Sequence, residues 1–360
     1  MKTIRIETTN HAYPVLIGSK IINQLPKLLI QTGISQKTKI LIISDENVAP
    51  LYLQVVVDQL NKFDAISYVV PAGDVSKAIG EVEKIITYAI QHGLDRSSVI
   101  LALGGGVIGD LAGFVASIYM RGIRYVQCPT TILAHDSSVG GKVGINHALG
   151  KNLIGSFYQP QFVLYDTSFL TTLPTREVRS GLVEVLKHGL IADRQFVDWL
   201  EKNADSLLHL DQEAVSYALK QGIKIKADIV MEDEKEQGIR AILNFGHTLG
   251  HVIETLSNYQ YLHGEAVAIG MFFAAKLAAK LGWLSKEEEA FYQHLLQKFK
   301  CKTSIPKEYD TNQMMNIMLR DKKFKNGQIR MVLPIAIGQV KIEENIDQKF
   351  ISETLNELKR

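Results

Sequence analysis

Ser98-Val-Ile-Leu-Ala-Leu-Gly-Gly-Gly-Val-Ile-Gly-Asp110 is the stretch that decides the fold. Its first six residues carry no charge and only one hydroxyl, the composition of a strand covered on both faces in a parallel sheet. The glycines and the apolar run Leu111–Met120 that follows predict strand, tight turn and helix, an order that lets backbone N–H groups and a helix N-terminus come close to a diphosphate. Gly104, Gly106 and Gly109 formally match G-x-G-x-x-G. A standard dinucleotide unit puts its ribose-binding acid at the end of the next strand. Here that strand, Arg124–Gln127, runs into Cys128-Pro129-Thr130-Thr131 with no acid. The replacement is Asp45, at the end of the earlier apolar run Lys39–Ser44; capping the following helix is its alternative role. The sequence therefore predicts a variant Rossmann-like α/β domain with a parallel sheet.

Outward from this stretch the alternation continues. Thr3–Glu7, Pro14–Ile17 and Ile66–Val70 have strand patterns, and Ile21–Ile30 and Ala78–His92 have helical ones, with Asp74 and Lys77 at the start of the latter. Residues 130–152 resemble a P-loop only superficially. Asp136 stands where its first glycine belongs, and Val143 replaces the required Ser or Thr, which excludes a Walker-type site. What remains is a glycine-relaxed loop with Asp136, Lys142, Lys151 and Asn152, suited to a small phosphorylated and hydroxylated substrate. Thr171-Thr-Leu-Pro174-Thr is the predicted boundary, giving an α/β domain over 1–174 and a mostly helical domain over 175–360. The second domain shows helical periodicity at 176–190, 193–203, 211–230, 246–258, 264–282 and 286–299, a hairpin at 329–342, and a closing helix Asp347–Leu358.

Composition narrows the function. The chain has 360 residues, enough for two domains, and a formal charge of +2, too near balance for a nucleic-acid or membrane-surface partner. Two distant cysteines, Cys128 and Cys301, supply neither a disulfide framework nor a thiolate metal site. The N-terminus has no signal-peptide core, and no apolar run approaches the roughly 18 residues of a membrane span, so a cytoplasmic protein is expected.

Polar clusters interrupt the helical half. Arg240, Asn244, His247 and His251 step by four, three and four, which on one helix makes a polar stripe facing a cavity. Glu184-Val-Leu-Lys187-His188 precedes it and His263-Gly-Glu265 follows. The pairs His247/His251 and Glu184/His188 each look like half a zinc site, but without H-E-x-x-H such pairs are commonly coincidental. One ligand from each cluster gives Glu184, His247 and His263, a two-histidine, one-carboxylate set with a coordination position open, leaving His251, Lys187 and Arg240 for substrate anions.

Taken together, Gly104-Gly-Gly-Val-Ile-Gly-Asp110, Tyr119-Met-Arg-Gly122, Pro129-Thr-Thr131, Asp136-Ser-Ser-Val-Gly-Gly-Lys142, Gly150-Lys-Asn152, Ser180-Gly-Leu-Val-Glu-Val-Leu-Lys187, Asn244-Phe-Gly-His-Thr-Leu-Gly-His251 and His263-Gly-Glu-Ala-Val-Ala-Ile-Gly270 resemble the 3-dehydroquinate synthase family, in its order and over nearly the whole chain. The resemblance implies a cytoplasmic, homodimeric enzyme of the shikimate pathway, a carbon-oxygen lyase acting on the sugar phosphate 3-deoxy-D-arabino-heptulosonate 7-phosphate. The implied course is transient oxidation by NAD, phosphate elimination, re-reduction, ring opening and aldol closure, with one divalent metal, zinc or alternatively cobalt.

By the same resemblance Glu184, His247 and His263 match the metal ligands. Asp45, Asp74, Lys77, Gly105, Gly106, Val107, Asp110, Thr130, Thr131 and Thr172 match NAD-binding positions, with Lys151 nearby; Asp74 departs from the glutamate expected there. Asp136, Lys142, Asn152, Lys187, Lys226, Arg240, Asn244 and His251 match substrate-site positions. Arg121 resembles an arginine that reaches the partner subunit's phosphate site, and Lys322 or Lys323 a late lysine that closes over substrate. The alternatives are a polyol or glycerol-phosphate dehydrogenase, a cyclase acting on another sugar phosphate, and a non-catalytic paralogue.

Overall fold

The computed structural model describes residues 1–9, 11–322, 330–344 and 346–360, with the backbone alone at 320–322. The chain divides into two compact units, Met1–Leu173 with Val215–Lys235, and Pro174–Ala214 with Glu236–Arg360. Residues 215–235, grouped with the helical half from sequence, thus cluster with the N-terminal unit instead. Lys226 comes with them.

The first unit is built on strands β1 (Lys2–Glu7), β2 (Ala12–Gly18), β3 (Lys39–Asp45), β4 (Asp64–Val70), β5 (Val99–Gly104), β6 (Arg124–Pro129) and a later β9 (Val163–Asp166). They form one sheet in the order β1-β2-β9-β6-β5-β3-β4, parallel except for the β1–β2 pair. Ile40–Ile43 and Val99–Leu101 are wholly buried, as their unbroken apolar runs require. The chain leaves β3 for β4 on one side and resumes at β5 on the other, so a topological switch point lies between the carboxyl ends of β3 and β5. Open α/β sheets bind ligands in that crevice. Asp45 closes β3 and Gly104 closes β5.

Gly106 already begins the helix Gly106–Ile118, so only Gly105 separates it from β5 and the helix starts five residues before Leu111. Gly104 is needed for packing: a Cβ there would sit 2.6 Å from Ile108 Cγ1. Gly113 has the same role nine residues later, within the helix, with a Cβ 2.4 Å from Val143 Cγ1. Val143 belongs to β7 (Lys142–His147), which pairs antiparallel with β8 (Gly150–Phe157). The glycine-relaxed loop expected over 130–152 is therefore in large part a hairpin, whose alternation the glycines concealed.

Among its described residues the second unit is built of helices and the hairpin of β10 (Arg330–Ala336) and β11 (Gln339–Glu344). Helix His263–Lys280 is its centre; from Gly264 to Ala278 only Glu265 and Lys276 are not buried. A helix apolar all round must be covered on every side. It allows close approach through glycines: a Cβ on Gly264 would lie 2.0 Å from the Ser180 carbonyl oxygen, and one on Gly270 1.8 Å from that of Gly246. Gly270→Ala therefore wedges this helix from the backbone leading into His247 and is expected to cost about 1–3 kcal/mol. At about 2–4 °C per kcal/mol, differential scanning calorimetry should show a transition lowered by several degrees, and an unchanged Tm would refute the packing argument. Helix Thr311–Lys322 was not legible in the sequence; its buried face is made of Met314, Met315 and Met318.

Candidate active site

Three helices of the second unit deliver one side chain each to a common point. Glu184 lies mid-way along helix Thr175–Ala192, while His247 and His263 are the first residues of helices His247–Leu256 and His263–Lys280. One ligand atom from each lies within 4.8 Å of the others, close enough for one ion to be shared. His263 Nε2 is 3.6 Å from Glu184 Oε1, and the His247 and His263 ring centroids are 5.0 Å apart. Lys187 Nζ, one turn beyond Glu184 and equally buried, stands 2.5 Å from Glu184 Oε2.

Electrostatics suit this donor set to a cation. Burial holds the His247 imidazole well below the ordinary histidine value, and Lys187, His263 and His251 push it the same way. At neutral pH the ring is uncharged. Its Nδ1 lies 3.1 Å from the Phe245 carbonyl oxygen, which assigns the proton to Nδ1 and the lone pair to Nε2. Burial also pulls the His263 imidazole down, but Glu254 and Glu184 outweigh it and hold that group above the ordinary value. A buried carboxylate with two imidazoles is a ligand set for zinc or a similar divalent ion, so the residues present fit a metal.

Arg240, Asn244, His247 and His251 do not share one helix. Arg240 and Asn244 ride a 3-10 turn, Ile239–Asn244, and the chain breaks at Phe245-Gly246 before the helix of His247 and His251 begins. Gly246 has φ +79°, and a Cβ there would meet Met271 Cγ at 2.6 Å, so the left-handed break requires glycine. Arg240 is 1% exposed, whereas Asn244 donates to Glu236 Oε1 at 3.2 Å on the surface. His251 is exposed, its ring centroid 5.5 Å from that of His247, and is not one of the three converging ligands.

The first unit gathers a second charged cluster near the carboxyl ends of its strands. Lys77 is 5% exposed and donates to Asp110 Oδ2 at 2.7 Å and Asn152 Oδ1 at 2.5 Å. Burial lifts the Asp110 carboxyl above its ordinary value, with Lys77 and then Lys226 pulling against it. Lys226 Nζ bonds the Asp136 carbonyl and lies 3.1 Å from its Oδ2. Lys151 pairs with Asp74 at 2.6 Å. Asp45 Oδ1 accepts from the backbone N–H groups of Asn47 and Val48, closing the turn after β3; it does not cap the next helix, whose N-cap is Val48. Thr131 Oγ1 accepts from Ala134 N, and Thr172 Oγ1 lies 2.6 Å from Tyr52 OH.

Two observations fit this end of the sheet to a dinucleotide. Gly105 and Gly106 present bare backbone where a Cβ would come within 3.0 Å of Thr131 and Ser137, and Thr130 Oγ1 is buried with no hydrogen-bond partner among the described residues. Val107 follows them in the first helical turn. Lys142 and Arg121 are exposed, Arg121 with φ +69°. Lys323 lies outside the described residues, and of Lys322 only the backbone is described.

Residues 67–180 match the family model described as 3-dehydroquinate synthase N-terminal, and 181–324 the one described as 3-dehydroquinate synthase C-terminal. The chain belongs to the 3-dehydroquinate synthase family. The 3-dehydroquinate synthase of Geobacillus thermodenitrificans is 49% identical over 350 residues, covering 96% of this chain and 95% of that protein. Among solved structures, 2-deoxy-scyllo-inosose synthase complexed with carbaglucose-6-phosphate, NAD+ and Co2+ superposes with a TM-score of 0.89 at 26% identity, covering 99% of each chain. 2-epi-5-epi-valiolone synthase from Streptomyces hygroscopicus subsp. jinggangensis, with NAD+ and Zn2+ bound, gives 0.88 at 27% identity and 98% coverage of each. These likenesses confirm the expected fold, a parallel-sheet α/β domain followed by a helical one.

Several residues that shape the site in this 3-dehydroquinate synthase family member escaped the sequence. Glu254 stands 3.5 Å from His263 Nδ1, and its spacing from His247 and His251 continues the step of four and three that drew attention to Arg240. Arg176 grips Glu265 with bonds of 2.7 and 2.6 Å while Glu265 accepts from Leu262 N, tying down the helix start that carries His263. No spacing rule links Arg176 to Glu265, 89 residues away.

Proposed function

We propose that this chain converts 3-deoxy-D-arabino-heptulosonate 7-phosphate to 3-dehydroquinate and phosphate, with catalytic NAD and one divalent metal, zinc or cobalt. The observation that carries the proposal is the convergence of Glu184, His247 and His263 in a chain 49% identical to a named 3-dehydroquinate synthase. When bound, the ion lends Lewis acidity to a substrate hydroxyl and NAD a reversible hydride acceptor. Glu184, His247 and His263 hold the ion, and Lys187, 2.5 Å from Glu184 Oε2, steadies that carboxylate. In the first unit Asp45, Asp74, Lys77, Gly105, Gly106, Val107, Asp110, Thr130, Thr131, Lys151 and Thr172 form the dinucleotide end. Lys142, Asn152, Asp136 and Lys226 there, and Lys187, Arg240, Asn244 and His251 in the second unit, bind substrate. Arg240, a buried guanidinium, suits the substrate carboxylate through bidentate pairing.

A cytoplasmic homodimer is part of the same proposal. Among the described residues no helix is long and apolar enough to cross a membrane. Leu149, Leu153 and Phe157 are exposed on or beside β8, an apolar surface that a second copy would cover.

The test is phosphate release from the heptulosonate phosphate, with and without NAD and with and without chelator. Release that needs both, without accumulation of NADH, is expected; NADH formed in proportion to substrate would make the chain a dehydrogenase. Arg240→Ala should raise KM strongly, and a silent variant would remove the carboxylate assignment. Sedimentation of the same preparation should give twice the 40.2 kDa chain mass.

A further inference from the structure

The His263 imidazole stands between two carboxylates: its Nε2 is 3.6 Å from Glu184 Oε1, and its Nδ1 is 3.5 Å from Glu254 Oε2, the outer limit of a hydrogen bond. Glu254 is 5% exposed, in a protein interior where carboxylates are rarely kept without a partner. It sits on helix His247–Leu256, and its spacing of seven from His247 and three from His251 puts all three on one face. That helix therefore contributes a ligand at its first residue and a carboxylate two turns later, beside the ligand of the neighbouring helix. The two imidazoles are treated alike: Nδ1 of His247 is engaged by the Phe245 carbonyl and Nδ1 of His263 faces Glu254.

We infer that Glu254 is the positioning residue of the His263 ligand. It accepts the Nδ1 proton, so that the neutral ring carries its lone pair on Nε2, and it holds the ring plane toward Glu184 and His247. A carboxylate behind a metal-binding imidazole also makes that imidazole the more basic donor. This rests on the proposal that Glu184, His247 and His263 hold a divalent ion, and adds a fourth residue that touches neither ion nor substrate. Helix packing alone would give Glu254 no reason to act through His263.

The experiment measures zinc and cobalt affinity of the full chain by chelator competition, and the visible absorption of the cobalt form, for wild type and the isosteric Glu254→Gln. The expected result is affinity weakened by about 10–100-fold with displaced cobalt bands. The control is Glu254→Asp, which keeps a carboxylate acceptor for the His263 ring and should retain more of the affinity than the amide. An equal loss in Glu254→Asp and Glu254→Gln, undisplaced cobalt bands, or wild-type affinity in Glu254→Gln overturns the inference while leaving the metal site standing. Wild-type protein that takes up neither ion overturns the metal site and the inference with it. Should Glu254→Gln not fold, the histidine side-chain 1H–15N spectrum of the zinc-loaded wild type decides. A proton on His263 Nδ1 is expected, and the opposite tautomer overturns the inference.

Discussion

His247→Ala is expected to abolish stoichiometric metal uptake and to lower phosphate release by about a thousandfold or more. The size follows from the several kcal/mol that a Lewis-acidic ion contributes to stabilising developing charge, at 1.36 kcal/mol for each factor of ten. The variant leaves Glu184 and His263 in place, 3.6 Å apart, but two donors do not hold an ion against water as three do. His251 cannot step in. It lies one turn along the same helix, its ring centroid 6.4 Å from that of His263, and it is absent from the converging set. The contrasting variant His251→Ala should therefore keep its metal and lose turnover through substrate binding. Elemental analysis beside the phosphate assay separates the two outcomes; full metal content in His247→Ala would end the proposed ligand set.

Lys77→Met is expected to destabilise the first unit by about 3 to 5 kcal/mol at neutral pH, since it leaves a carboxylate whose side chain is only 21% exposed without the cation 2.7 Å away. Lys226 still favours the ionised Asp110, which places the result toward the lower figure. The pH dependence has a definite sign. Burial lifts the folded-state Asp110 above its unfolded value, so the native state holds that proton more tightly and loses stability as pH rises from the unfolded value toward the folded one. Without Lys77 the folded value rises further. The deficit relative to wild type therefore opens above the wild-type folded value, grows toward the variant's still higher one, and closes toward pH 4. Urea denaturation at pH 5 and pH 8 measures it; an equal deficit at both would show that Asp110 is not the group left unpaired.

The central strands were legible because burial on both faces leaves a one-dimensional signature. Ile40–Ile43 and Val99–Leu101 have no polar interruption, and their depth in the sheet is the reason. The β7–β8 hairpin was not legible, because Gly144 and Gly155 oppose each other where alternation would normally show, and a Cβ on either would strike the opposite backbone at 2.6 or 2.4 Å. The stripe from Arg240 to His251 misled for a related reason. Its spacing is helical, but the demand for a glycine with positive φ at 246 comes from Met271 and Val267 on another helix.

Sequence by itself determined the family, the parallel sheet, the helical second half and the identity of Glu184, His247 and His263 as candidate ligands, since residue chemistry and short-range periodicity are properties of the chain alone. Tertiary structure decided that 215–235 joins the first unit, that Lys77 faces Asp110 and Asn152, and that Glu254 stands behind His263. Those relations depend on how closely glycines such as Gly264 and Gly270 let helices and backbone approach, and close packing between distant segments has no period along the chain.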